Sequence, residues 1–256
     1  GRAGELAWLR GHLDGAAAGS GRAVRVHGEA GIGKSRLAAA LLEEAAAAGA
    51  RVLAVRCLAY NSATPYAPWG ELLRDLCGIA GGASQDDRRA RLRAALRRAG
   101  VPADDWMPLV AELVGLADED NAVVRALDPG QRQARRFEIV LAMLRAAARE
   151  APGGAVVLFD NLQWADQVSL DLWQHVAAHI GGDPILLLGL HRGALEWGSG
   201  PQGDGAATLE LGPLPDETSA ALLDALAGPG VLGEELRGRL VARAAGNPLF
   251  LEELLR

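Results

Sequence analysis

Residues Gly28-Glu29-Ala30-Gly31-Ile32-Gly33-Lys34-Ser35 match the pattern G-x-x-x-x-G-K-[ST] in full. Glycines at this spacing let the backbone turn tightly enough for its N–H groups to converge on phosphate oxygens. The residues on either side supply the context the motif requires. Ala23–His27 is an apolar run of strand length, and Lys34–Ala48 has helical periodicity, closed by Gly49. A strand, a glycine-rich turn and a helix N-terminus together make an anion site, because the helix dipole points its positive end at the same charge. In that site Lys34 reaches the β- and γ-phosphates and the Ser35 hydroxyl ligates Mg²⁺.

Lys34 is the only lysine in 256 residues; the other 25 basic residues are arginine. Alanine supplies 50 positions and glycine 33, a composition that GC-rich codons favour and that points to a high-GC bacterial source. A guanidinium is a broad planar fork, whereas an ammonium is a compact charge on a flexible stem. That difference explains a lone lysine at a phosphate cradle.

Working outward, apolar runs alternate with helical patterns, which predicts an α/β fold with a five-stranded, mostly parallel sheet. The expected strands are 23–27, 51–56, 155–159, 185–190 and 207–211. Residues 57–154, between the second and third strands, read as a helical insertion with segments near 68–78, 86–99, 105–116 and 130–150. Leu6, Leu9 and Leu13 define an opening helix. Beyond Pro213 the pattern is helical throughout, near 216–228, 234–245 and 248–256. The expected division is therefore a nucleotide-binding α/β domain over 1–212 and a helical lid or sensor subdomain over 213–256. The chain opens on Gly1 and stops within a helical pattern, so it reads as a piece of a longer polypeptide.

The run Ala155-Val156-Val157-Leu158-Phe159 delivers Asp160 to a strand tip, where ligands of open parallel sheets bind. On a strand neighbouring the phosphate loop, Asp160 would hold Mg²⁺ through water, with Ser35 as its partner. The next residue is Asn161, whose amide has no useful proton affinity near pH 7. Slow hydrolysis follows, unless Asp166 or Glu29 positions the attacking water.

Other signals receive plainer readings. The net charge of −6 provides no general surface for polyanions, so direct contact with nucleic acid is not expected. The chain has neither a run of about 20 apolar residues nor a signal sequence, which predicts a cytoplasmic protein that does not enter a membrane. Cys57 and Cys77 read as buried thiols. Arg88, Arg89, Arg91, Arg93, Arg97 and Arg98 read as a solvated helix face. Asp171, His175 and His179 share a helical spacing that would suit a metal, but the ordinary reading is structural. Trp164 and Trp173 read as packing anchors, and Gly193–Gly205 as a loop.

With these residues in view, the chain resembles the ATPase domains of the STAND class, a branch of the AAA-related P-loop NTPases. It is most similar to those of large ATP-binding LuxR-type regulators. The resemblance rests on Gly1-Arg2…Glu5-Leu6, the Gly28–Ser35 loop, Thr64-Pro65-Tyr66-Ala67-Pro68 and Asp160-Asn161-Leu162-Gln163-Trp164-Ala165-Asp166. It continues through Gly189-Leu190-His191-Arg192 to Gly246-Asn247-Pro248-Leu249-Phe250-Leu251-Glu252-Glu253. It implies a three-layer P-loop NTPase sandwich with ATP/ADP and Mg²⁺ as ligands. It also implies a sensor role for Arg192 at the γ-phosphate, Pro248 near the adenine, and Arg2 near the nucleotide. Glu29, Ala30, Ile32 and Arg36 complete the implied nucleotide-binding set. Asn161 departs from the commoner acidic pair of the class.

The function implied is a slowly hydrolysing switch in a larger bacterial protein. Its effector would be a helix-turn-helix, cyclase or kinase domain in the same polypeptide, and nucleotide-dependent self-association is a further expectation. A small-molecule kinase and a nucleotide-locked scaffold are the alternatives.

Overall fold

A computed structural model describes residues 1–193, 205–228 and 231–255. Five strands form one sheet: β1 (Arg22–Gly28), β2 (Arg51–Arg56), β3 (Ala155–Asp160), β4 (Ile185–His191) and β5 (Ala207–Leu211). Their order is β2-β3-β4-β1-β5, and every pairing is parallel. The sheet is thus wholly rather than mostly parallel. One expectation about it needs correction: β3 does not neighbour β1, because β4 lies between them. Strand order depends on crossovers, which local periodicity does not encode.

β3 and β4 are buried at every position, as inner strands covered on both faces must be. Along each strand alternate residues serve different layers. Val24, Val26, Val156, Leu158, Leu186 and Leu188 pack against α1 (Ala3–Ala17) and α2 (Lys34–Ala47). Val157, Phe159 and Leu187 face the opposite layer, built from the insertion and from α8 (Gln167–His179).

The insertion holds α3 (Ala67–Leu76), α4 (Gln85–Arg98), α5 (Ala103–Ala111), α6 (Ala122–Arg125) and α7 (Pro129–Glu150). Its longest member, α7, starts with Pro129 behind a capping box in which Asp128 accepts from Gln131 N–H and Gln131 returns the bond. Four-residue α6 gave too short a periodic signal to be read from sequence. The expected helix near 105–116 divides into α5 and a 3-10 turn at Glu112–Val114, closed by left-handed Gly115.

Trp69 and Trp173 anchor this layer and are fully buried. Trp69 packs at a tilt against Phe159, ring centroids 4.7 Å apart, and donates to Ser169 O at 3.0 Å. Trp164 does not share that role, because it stands 45% exposed on a 3-10 turn after β3. The arginines of α4 form the expected solvated face at Arg91, Arg97 and Arg98, which are exposed, but others also bind within the insertion. Arg88 donates to Ala83 O and Val114 O, while Arg89, Arg93 and Arg98 pair with Asp118, Asp104 and Glu150 on neighbouring segments.

After β5 come α9 (Asp216–Ala227), α10 (Glu234–Ala244) and α11 (Pro248–Leu255). They share a small core of Ala220, Leu223, Val241, Ala244 and Leu251, separate from the two sheet layers. Most of the expected loop at 193–205 lies outside the described residues. Among the described residues no helix is long and apolar enough to cross a membrane.

Candidate functional site: the phosphate loop and its neighbours

β1 runs into the loop at Gly28, where φ is 154° and a side chain would drive a Cβ to 2.5 Å from Leu211 O. The loop then passes Gly31 (φ 76°) and Gly33 (φ 100°) before α2 begins. Gly33 caps α2 without a side-chain bond, so the first N–H groups of this helix are left for another acceptor. Lys34 is only 8% exposed, and its ammonium donates to Gly28 O and Glu29 O, each at 2.8 Å. Burial pushes its pKa down, nearby Arg192 adds to the effect, and Asp160 opposes it. Glu29, Ala30, Ser35 and Arg36 are exposed along the same rim, and Ile32 is buried beneath it.

Although β4 separates their strands, Ser35 Oγ donates to Asp160 Oδ2 at 2.9 Å. Asp160 is itself 8% exposed at the tip of β3. Asn161 follows in the left-handed region, φ 58° and ψ 44°, and turns the chain into the 3-10 turn. Arg192, just past the tip of β4, is held by its backbone N–H on Gln163 Oε1 at 3.2 Å. The parallel sheet therefore gathers Lys34, Ser35, Asp160, Asn161 and Arg192 at its C-terminal edge, where open α/β sheets bind ligands.

Asp166 and Glu29 were the other candidates to position water. Asp166 is already engaged: its carboxylate caps α8, accepting from Ser169 N–H at 3.0 Å and Ser169 Oγ at 2.6 Å, and also accepts from Tyr66 N–H at 3.2 Å. Glu29 remains exposed on the loop.

Arg2 reaches the loop from the start of the chain. Its guanidinium donates to Ile32 O at 3.3 Å and to Gly212 O at 2.5 Å, and pairs with Glu5 at 2.8 Å. Beside it opens a cavity of about 530 Å³, lined among others by Arg2, Ile32, Arg36, Leu214, Thr218 and Pro248. That volume falls in the range of small-molecule sites, roughly 300–1,000 Å³. Its apolar walls, next to an array of N–H donors and a buried ammonium, suit a ligand with a flat ring at one end and phosphates at the other.

Sequence reasoning did not single out Asn247. Its Nδ2 donates to Ala30 O at 2.9 Å, while its Oδ1 accepts from Leu249 N–H (3.1 Å) and Phe250 N–H (3.4 Å). Leu249 N–H also donates to Gly31 O at 3.3 Å. The approach is close enough that a Cβ on Gly31 would lie 2.7 Å from Leu249 Cβ. The first turn of α11 therefore rests directly on the phosphate loop. The adjacency of Asn247 to Pro248 was the available signal. Arg56, at the tip of β2, also escaped notice; its Nε lies 3.7 Å from Asp160 Oδ2.

Elsewhere, His175 and His179 stack at 4.3 Å, His179 Nδ1 bonds to His175 O, and Asp171 accepts from Gln167. No group of three metal-ligand side chains occurs among the described residues. Cys57 and Cys77 are buried, and burial pushes both thiols up to about 12, so they behave as small hydrophobes.

Fold and loop together define a P-loop α/β nucleotide-binding domain. Residues 1–188 match the AAA ATPase domain family, and the chain belongs to that family. It is 30% identical over 251 residues to an uncharacterized protein of Rhizobium meliloti (strain 1021), covering 94% of this chain and 23% of that protein. The chain thus spans under a quarter of the length of this relative. Among solved structures it is similar to a Signal Transduction ATPase with Numerous Domains (STAND) protein with a tetratricopeptide repeat sensor from Pyrococcus horikoshii. There the TM-score is 0.49 at 15% identity, over 94% of this chain and 28% of the other. It is also similar to Drosophila ORC bound to DNA, with TM-score 0.45 and 12% identity, over 99% of this chain and 54% of the other.

Proposed function

We propose that this AAA ATPase domain is an ATP/ADP-dependent regulatory switch of the STAND type, slow in hydrolysis, within a larger bacterial signalling or transcription-regulating protein. The observation that carries the reading is the seating of α11 on the loop, through Asn247 to Ala30 O and Leu249 to Gly31 O. In a phosphate-binding nest the N–H groups point inward and the carbonyls outward. A change in what the N–H groups hold therefore alters the same peptide planes that hold the lid.

Within this reading, Lys34 leaves Gly28 O and Glu29 O to meet the β- and γ-phosphates. Arg192 reads the γ-phosphate from the tip of β4. Arg2, Arg36, Thr218 and Pro248 border the adenosine end. Ser35 and Asp160 hold Mg²⁺, which when bound supplies charge neutralisation across the phosphates. Asn161 orients water without removing its proton, which keeps turnover slow. A ligand shifts a two-state equilibrium only by its differential affinity for the two states, and contacts made to the γ-phosphate alone provide that difference. The effector, whether helix-turn-helix, cyclase or kinase, belongs to the remainder of the polypeptide, as the motif resemblance implies.

Two measurements test this. Titration calorimetry with ATP should show Lys34→Ala weakening binding by about 10- to 100-fold, the worth of a charge-assisted bond; equal affinity would sink the site. Hydrogen exchange over residues 246–255 should differ between ADP and a non-hydrolysable ATP analogue. Equal protection in the two states would reject the switch while leaving the site standing.

A further inference from the structure

Arg56 ends β2 in register with Asp160 on β3, so parallel pairing sets their backbones side by side at the rim of the site. Cys57 N–H donates to Asp160 O at 2.8 Å and fixes the junction. From there the Arg56 guanidinium reaches back until its Nε is 3.7 Å from Asp160 Oδ2. The same carboxylate oxygen accepts the Ser35 hydroxyl at 2.9 Å. One oxygen therefore faces both the α2 hydroxyl and a cation arriving from the far side of the sheet.

The two members of this pair differ in freedom. The Asp160 side chain is 11% exposed and fixed at a strand tip, whereas the Arg56 side chain is 68% exposed. An ion pair so open to water is weak and easily exchanged. A divalent cation held by Ser35 and, through water, by Asp160 would draw on the negative charge of this oxygen. A guanidinium beside the same oxygen opposes that cation by like-charge repulsion, and in its absence supplies the positive charge that the carboxylate lacks.

We propose that Arg56 is the resident counter-ion of Asp160, occupying the electrostatic place of Mg²⁺ and thereby setting how strongly nucleotide binding depends on the metal. The proposal rests on the nucleotide-site reading above. With Arg56 present, a metal-free nucleoside diphosphate meets a neutralised carboxylate and binds. Without it, the diphosphate meets an uncompensated negative charge and binds well only when Mg²⁺ accompanies it. The side chain is a positioning group for the carboxylate and does not itself take part in the chemistry.

The test is titration calorimetry of ADP against the whole chain, in Mg²⁺ and in EDTA, giving the ratio of the two dissociation constants. In Arg56→Ala the metal-free affinity should fall while the Mg²⁺ affinity holds or tightens, raising the ratio about fivefold, the upper reach of an exposed ion pair. Arg56→Lys should keep the ratio within about threefold of wild type, since it keeps the charge. A purely structural role would move both constants together and leave the ratio fixed, and that result overturns the proposal. Lys34→Ala separates the two layers of argument. If it weakens ADP binding as expected while Arg56→Ala leaves the ratio unchanged, only the counter-ion role fails. If Lys34→Ala binds ADP like wild type, the nucleotide site and the counter-ion role fall together.

Discussion

Ser35 Oγ donates to Asp160 Oδ2 across 2.9 Å, joining the first turn of α2 to a strand two places removed from β1. The bond holds a hydroxyl and a carboxylate together on one point. Such preorganisation raises affinity because little ordering is left to do on binding.

Ser35→Ala removes that hydroxyl and leaves the loop backbone intact. The tightening of ADP binding by Mg²⁺ should therefore be largely lost, while affinity in EDTA stays within about threefold of wild type. Thermal unfolding should show a small drop, about 1.5 kcal/mol, the low end for a hydrogen bond to a charged acceptor because Ser35 is exposed. Calorimetry in the two buffers checks the first point and a melting curve the second.

Asn161 sits at φ 58°, a left-handed conformation that asparagine and aspartate tolerate better than other non-glycine residues. Asn161→Asp therefore keeps the turn and adds a proton acceptor next to Asp160. Steady-state ATP hydrolysis should rise at least about tenfold, a cautious floor below the roughly 100-fold that a well-positioned base contributes. An unchanged rate would show that the amide is not the limiting group.

Asn247 does two things at once, and two substitutions separate them. Asn247→Ala loses both the bond to Ala30 O and the cap on Leu249 and Phe250, costing about 1 kcal/mol and loosening α11. Asn247→Asp keeps the cap but has no donor for Ala30 O. Hydrogen exchange should show α11 protected in the aspartate variant, yet no longer responsive to which nucleotide is bound. Persistence of the response would shift the coupling to Leu249.

His175 is half-buried, with its ring 5.4 Å from Phe137 and 4.3 Å from His179. Burial lowers its pKa from the ordinary 6.5, His179 lowers it further, and Arg145 adds to the lowering while Glu138 opposes it. A histidine whose folded pKa is depressed favours the neutral ring in the fold. Its penalty is absent above the unfolded pKa of about 6.5 and grows as pH falls from there toward the folded value. His12 and His191 are lowered by burial in the same direction. The melting temperature should therefore decline as pH falls from about 7 to 5. His175→Phe should flatten that slope, and an unaltered slope would assign the loss to other groups.

Much of this was legible from the chain alone where the signal was local. The loop from Gly28 to Ser35, the strand delivering Asp160 and the helix after Lys34 are each contiguous, so spacing and apolar runs revealed them. The placement of β4 between β1 and β3 was not legible, because pairing partners are distant in sequence and nothing in a strand's own residues names its neighbour. Arg56 was missed for the same reason, since only register brings it to Asp160. Trp164 misled because a large aromatic next to a strand tip normally signals core, whereas here a 3-10 turn carries it outward. The α4 arginines were legible as a solvated face at Arg91, Arg97 and Arg98, but not Arg88, whose carbonyl partners come within reach only in the folded insertion.

The grip of α11 on Ala30 and Gly31 has a mechanical consequence. A load on the far end of that helix is delivered through one turn to the peptide planes that cradle phosphate. Linkage requires that work done by the ligand on the helix be matched by work the helix can do on the ligand. Under the proposed switch, a load on α11 that opposes its nucleotide-bound seating would lower nucleotide affinity by the same free energy, so the domain would gauge force as well as ligand.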